Sequence, residues 1–158
     1  MDYSHTYLIT WTTYGCWLPG DSRGWRKTGQ GHMSPQPPLE EWSRKHLSER
    51  PILLNTAQRL KVETVCHEHA NIRDWPLHAV QARSNHVHLV VTADLAQDKV
   101  RDQFKANATR VLRLAPDAIS NSKIWSRGGD CAIVNGEDDL ERVIQYVNEA
   151  QDRMDRET

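Results

Sequence analysis

The sequence predicts an α+β domain of ferredoxin-like architecture, a mainly antiparallel sheet with helices packed on it. Three observations carry this expectation. The chain has 158 residues, within the roughly 100–200 that one domain takes. Its hydrophobic periodicities run in the order strand, helix, hairpin, helix, strand, helix. No internal repeat or low-complexity tract breaks that order, apart from a glycine- and proline-containing excursion over residues 24–51. One domain spanning residues 1–158 is therefore expected.

Residues 7–13 (YLITWTT) are rich in β-branched and aromatic side chains and form the first strand. They run into a loop through Gly15, Pro19, Gly20 and Gly24, after which Gly29, Gly31, Pro35, Pro37 and Pro38 interrupt any period. Residues 56–71 place Ala57, Leu60, Val65 and Cys66 at helical spacing behind the capping residue Asn55. Residues 77–82 and 86–92 alternate in type around a short Arg83-Ser84-Asn85 connection, a β-hairpin. Residues 100–114 bring Val100, Phe104, Ala108, Val111 and Leu112 to one side of a second helix, which Pro116 ends. Ile124 and Trp125 open a further extended piece, interrupted by Gly128 and Gly129 and resumed at residues 131–134. The last helix begins near Asp138, whose side chain can cap it, with Asp139 and Glu141 suited to the helix dipole.

Composition narrows the classes of function. Twenty Lys and Arg face 21 Asp and Glu, a net charge of -1, so a protein that coats DNA by bulk electrostatics is not expected. The charge is uneven, however: residues 99–127 carry seven basic and two acidic side chains, and residues 130–158 carry nine acids and three arginines. Two differently charged solvated faces fit this pattern, and so does a polyanion groove beside a metal or a subunit contact. No apolar run approaches the ~18 residues of a membrane helix, and residues 1–10 lack a secretory pattern, so a cytoplasmic protein without a membrane partner is expected. Cys16, Cys66 and Cys131 are far apart and odd in number, which favours reduced cysteines over a disulfide framework or a zinc ribbon.

The chemistry concentrates in two places. His86-Val87-His88 lies in a strand, where side chains alternate, so both imidazoles project from one face while Val87, Leu89 and Val91 point to the core. Two adjacent imidazoles are half of a transition-metal site; two strand histidines bonded to neighbours would show the same pattern. His67-Glu68-His69 has the same spacing in a predicted helix, where residues two apart diverge by about 200°, and reads as surface or packing. The second place is Tyr146. Leu140, Val143, Ile144, Val147 and Met154 form the apolar stripe of the last helix, and Tyr146 sits about 100° from its centre, where the ring can rest on the protein and the hydroxyl can reach a cleft. Gln145, Asn148, Glu149 and Gln151 add oxygen ligands nearby, the kind a two-histidine Mg or Mn site lacks.

The run TYGCWLPGDSRGW (residues 13–25), the strand SNHVHLVV (84–91), the helix piece KANATRVLR (105–113), WSRGG (125–129) and the ending VIQYVNEAQ (143–151) occur in one consistent order. Together they resemble the single-tyrosine HUH transposases, and within them the REP-associated tyrosine transposase branch, over residues 6–151. The resemblance implies a metal-dependent single-strand DNA endonuclease and strand-transferase. His86 and His88 match the HUH histidines, which hold a divalent cation, Mg or Mn, against the scissile phosphate. Tyr146 matches the tyrosine that forms a 5′-phosphotyrosine link and frees a 3′-hydroxyl, a reversible step that needs no ATP. Some relatives place a third ligand, often Gln, four residues after the tyrosine. Here that position is Ala150, and Gln151, one residue on, is favoured over Glu149. The resemblance also implies a homodimer and a substrate of hairpin DNA with a short single-stranded tract. Lys105, Arg110, Arg113, Arg127, Trp17 and Trp25 are the candidates for its phosphates and bases, each tryptophan being equally suited to core packing.

Two other readings compete. A two-histidine, one-carboxylate iron oxygenase would use Glu149, but leaves Tyr146 without a task and expects more strands. A domesticated relative would bind structured single-stranded DNA without transposition, although His86, His88 and Tyr146 together favour preserved cleavage chemistry.

Overall fold

The computed structural model describes residues 4–27 and 29–150. Four strands form one sheet: β1 (His5–Thr12), β4 (Leu77–Ala82), β5 (His86–Ala93) and β6 (Asp130–Val134). Their spatial order is β4-β5-β1-β6 and every neighbouring pair is antiparallel. Taken in chain order these are the second, third, first and fourth strands, the ferredoxin-like arrangement the periodicities predict.

Helix α2 (Thr56–Arg73) links β1 to β4, and helix α3 (Gln97–Leu112) links β5 to β6. The start of α2 is set by a capping box: Gln58 donates its backbone N–H to Asn55 Oδ1 at 2.8 Å, and Asn55 donates its own to Gln58 Oε1 at 2.9 Å. Strand alternation then gives the sheet two different faces. Tyr7, Ile9 and Trp11 of β1 and Val87, Leu89 and Val91 of β5 point to α2 and α3. There they meet Val62, Cys66 and Ala70 of α2 and Val100, Phe104, Ala108 and Leu112 of α3. Thr10 and Thr12 of β1, paired with His88 and His86, lie on the other face. Helix α4 (Gly136–Gln145) crosses that face and runs into a π-helical turn (Tyr146–Ala150).

The excursion is better ordered than its composition suggests. It holds a short hairpin, β2 (Trp25–Lys27) with β3 (Gly31–Met33), and a helix, α1 (Pro37–Lys45). Proline breaks a helix interior, but in the first turn it removes only a donor that has no partner there, so Pro37 and Pro38 start α1 instead of preventing it. Gly20, at φ 89°, lets the preceding loop touch this helix: a Cβ there would lie 2.4 Å from the Gln36 carbonyl oxygen.

Two further expectations need correction. Ile124 and Trp125 do not open a strand; Trp125 forms an isolated bridge to Thr13. The last helix begins at Gly136, not near Asp138, and Asp138 does not cap it. Asn135 stands at the cap position, and its backbone N–H donates to Asp139 Oδ2 at 3.0 Å. Met154 of the expected stripe lies outside the described residues. Cys16, Cys66 and Cys131 are free thiols, and no described helix is long and apolar enough to cross a membrane.

Candidate active site

The site starts from β5. His86 and His88 are 0% and 2% exposed, although both are polar, and buried polar rings require partners. The neighbouring strand and the hairpin turn supply them. Thr10 Oγ1, directly across from His88 on β1, shares a 2.6 Å hydrogen bond with His88 Nδ1. Asn85, the residue before the strand, lies with its Oδ1 2.6 Å from His86 Nδ1, which donates. The Thr10 hydroxyl can donate to His88 Nδ1 or accept from it, whereas Asn85 Oδ1 can only accept from His86 Nδ1. The rings stand 4.5 Å apart at 78°. Burial above all, then the neighbouring His86 and the positive Arg83, depress the His88 pKa to about 3. His88 is therefore a neutral ring, the form that binds metals.

Tyr146 is brought to this pair by its neighbour in sequence. Val147 is fully buried against Ala79 of β4 and Val90 of β5, with Leu8, Leu140, Val143 and Ile144 packed around them. That contact seats the π-helical turn on β4 and β5. Tyr146, one residue earlier, is left 43% exposed, with its ring 5.7 Å from the His88 ring in an edge-to-face arrangement at 77°. His86, His88 and Tyr146 thus form one cluster. Glu149 is exposed and its Oε2 accepts a hydrogen bond from Gln145 Nε2 at 3.1 Å. Gln151 lies outside the described residues.

The profile of the family described as "Transposase IS200 like" matches residues 46–150, well over half of the chain and inclusive of His86, His88 and Tyr146. The chain belongs to the IS200-like transposase family. It is accordingly a DNA-processing enzyme of the transposase kind. Among solved structures it is similar to a REP-associated tyrosine transposase bound to a REP hairpin, at TM-score 0.58 and 12% identity over 95% of this chain and 68% of that one. It is also similar to a protein of Deinococcus radiodurans described as a transposase, at TM-score 0.52 and 13% identity over 94% and 92%. At such identities these likenesses speak for the fold. No curated protein matches the chain.

Several residues with a sequence case for DNA contact make hydrogen bonds within the chain. Lys105 is half-buried and donates to the carbonyls of Ser126 at 3.0 Å and Gly128 at 2.8 Å; burial first, then Arg101, lowers its pKa. It holds the WSRGG loop against β1, where the Ser126 N–H donates to the Thr12 carbonyl at 2.9 Å. Gly129 is needed there: a Cβ would come within 2.7 Å of the Thr10 carbonyl oxygen. Arg113 donates to the carbonyls of Ile119 at 2.8 Å, Ser122 at 3.1 Å and Asn121, bracing that loop. Trp25 is buried, with Nε1 donating to the Ser34 carbonyl at 2.9 Å. Trp17 lies under the Arg23 guanidinium at 4.0 Å and donates to the Gly24 carbonyl at 2.7 Å. The physical reason is shared: loop carbonyls outside the strand ladders need donors, and these side chains supply them. Arg110 and Arg127 remain exposed, and Arg127 sits in the loop that Lys105 holds beside β1.

As for the histidine at residue 69, it packs edge-on against Trp75 and Phe104 and hydrogen-bonds to Gln103 at 2.9 Å, while His67 is exposed. Among the described residues no group of three or more His, Cys, Asp or Glu stands ready for a metal. The histidine pair nevertheless fits one. His88 Nε2 is buried and has no hydrogen-bond partner among the described residues, an arrangement that costs about 1–3 kcal/mol if nothing accepts from or coordinates it. Thr10 and Asn85, which orient the two rings, escaped the sequence reading; Asn85 stands beside the motif, whereas Thr10 is found only through the β1–β5 register.

Proposed function

We propose that this IS200-like transposase is a metal-dependent single-strand DNA endonuclease and strand-transferase with Tyr146 as its nucleophile. The observation that carries the reading is the Tyr146 ring, half-exposed and edge-on to His88 beside His86. His86 and His88 would hold Mg or Mn through Nε2, with Gln151 or Glu149 as an oxygen ligand from the tyrosine's helix. A bound divalent cation supplies polarisation of the scissile phosphoryl group.

In the reaction, Tyr146 Oη forms a bond to phosphorus as the bond from phosphorus to the 3′-oxygen breaks. The phenolic proton passes to solvent, which the exposure of Tyr146 allows, and the departing 3′-oxygen takes one up. Attack by a second 3′-hydroxyl reverses the step and joins strands. The substrate would be a DNA hairpin with a single-stranded flank, in line with the hairpin carried by the REP-associated relative. Arg127 and Arg110 are the exposed cations proposed for its backbone.

The test is a denaturing gel of the protein incubated with hairpin oligonucleotides from the gene's flanks and Mn or Mg. A covalent protein–DNA band that requires metal and vanishes in Tyr146→Phe is expected. An adduct that persists in Tyr146→Phe would exclude this nucleophile. Binding with no adduct on any flank would favour the non-transposing, structured-DNA-binding reading.

A further inference from the structure

Two imidazoles leave most of the coordination sphere of Mg or Mn open, and such hard cations prefer oxygen. The strand register places one such oxygen beside them. Gln81 of β4 is paired directly with His88 of β5, so their side chains leave the sheet on the same face, with Cβ atoms about 4.5–5.5 Å apart. On its far side His88 is held by Thr10 of β1, so the ring stands between a residue that fixes its Nδ1 and one that flanks it from β4. Gln81 is half-buried on β4, one of the two strands on which the π-helical turn packs. Its side-chain amide makes no hydrogen bond to a described residue, whereas Thr10 and Asn85, the polar partners of His88 and His86, are both engaged. The other inward positions nearest it on that face, Ala79 and Val90, are apolar.

We infer that Gln81 is a ligand of the catalytic cation, its amide oxygen completing a sheet-borne set with His86 and His88. The inference rests on the metal-site reading above and deepens it. A sheet-borne set of three has a functional meaning. Any ligand on the tyrosine's helix leaves when that helix moves, whereas Gln81, His86 and His88 sit on two adjacent strands of one rigid sheet. The cation would then stay bound while Tyr146, carrying the covalently attached strand, shifts to bring up a second 3′-hydroxyl.

The experiment is Mn affinity of the DNA-free full chain by titration calorimetry, with Mn electron spin resonance as a second readout, in wild type, Gln81→Leu, Gln81→Glu and His88→Ala. Gln81→Leu keeps the size of the side chain and removes its oxygen; a loss of at least about tenfold in affinity is expected. Gln81→Glu restores an oxygen and adds a charge, and is expected to bind Mn at least as tightly as wild type. Affinity unchanged in Gln81→Leu but lost in His88→Ala overturns the role of Gln81 and leaves the histidine site standing. Affinity unchanged in both overturns the metal-site reading and this inference with it. Should Gln81→Leu fold poorly, a Gln81→Glu protein that binds Mn more weakly than wild type would also overturn it.

Discussion

The two faces of one sheet differ more than the strands between them suggest. Toward α2 and α3 the sheet contributes to a cluster of twenty buried apolar residues, with Trp11 and Phe104 at its centre; toward α4 the corresponding cluster is Ala79, Val90 and Val147. Alternate residues of the same strand serve both: Val87, Leu89 and Val91 anchor the scaffold, while His86 and His88 face the side on which Tyr146 sits. The histidines therefore inherit the rigidity of the large core. Tyr146 hangs on the small one, next to Val147, the one fully buried residue among those described in its turn. In the proposed mechanism this contrast would separate what must stay fixed, the histidines that hold the cation, from what must move, the tyrosine.

The contrast can be broken or sharpened by substitution. Phe104→Ala, on the large-core face, is expected to cost about 3–5 kcal/mol of global stability in urea unfolding, a large share of the ~5–15 kcal/mol a domain has. A cost below about 1 kcal/mol would mean that this face is not the scaffold. The pH dependence should also split by face. In the metal-free protein the His88 pKa is depressed from 6.5 to about 3, so its contribution is fully present above pH 6.5 and lost as pH falls toward 3. By linkage the loss between pH 6.5 and 5 is at most about 2 kcal/mol, and His88→Asn should flatten it. Cys66, on the opposite face, has its thiol pushed up from 9.0 to about 12 by burial, then by Glu63, so its contribution is present below pH 9 and lost as pH rises. Equal acid slopes in wild type and His88→Asn would remove the distinction. Val147→Ala is expected to have the smallest effect on global stability, about 1.5 kcal/mol from two lost methyl groups. It should nonetheless lower adduct yield and raise hydrogen exchange in α4 while leaving α2 and α3 protected. Uniform exchange across all three helices would show one cooperative unit instead of two.

Much of this was legible in the sequence because it depends on local pattern. The β5 alternation, the Asn55 cap and the apolar stripe that leaves Tyr146 at its edge are all set by residues near one another in the chain. What was not legible depends on partners distant in sequence or on position within an element. Pro37 reads as a breaker until it is known to stand in the first turn of α1. The hydrogen bonds that Lys105 and Arg113 donate to the carbonyls of Gly128 and Ile119 become visible only once the loops are folded. Thr10 and Gln81 become neighbours of His88 only once β1 and β4 are paired to β5.

The π-helical turn over Tyr146–Ala150 has a consequence for how this chain is compared with others. A π turn is what a helix becomes when it gains one residue and absorbs the gain within a single wider coil. Without that coil, one extra residue would rotate everything beyond it by about 100°. An alignment that counts letters and one that counts turns of backbone therefore need not agree beyond Tyr146, and Ala150, four residues after the tyrosine, is not by itself evidence against a ligand from this helix in the proposed site.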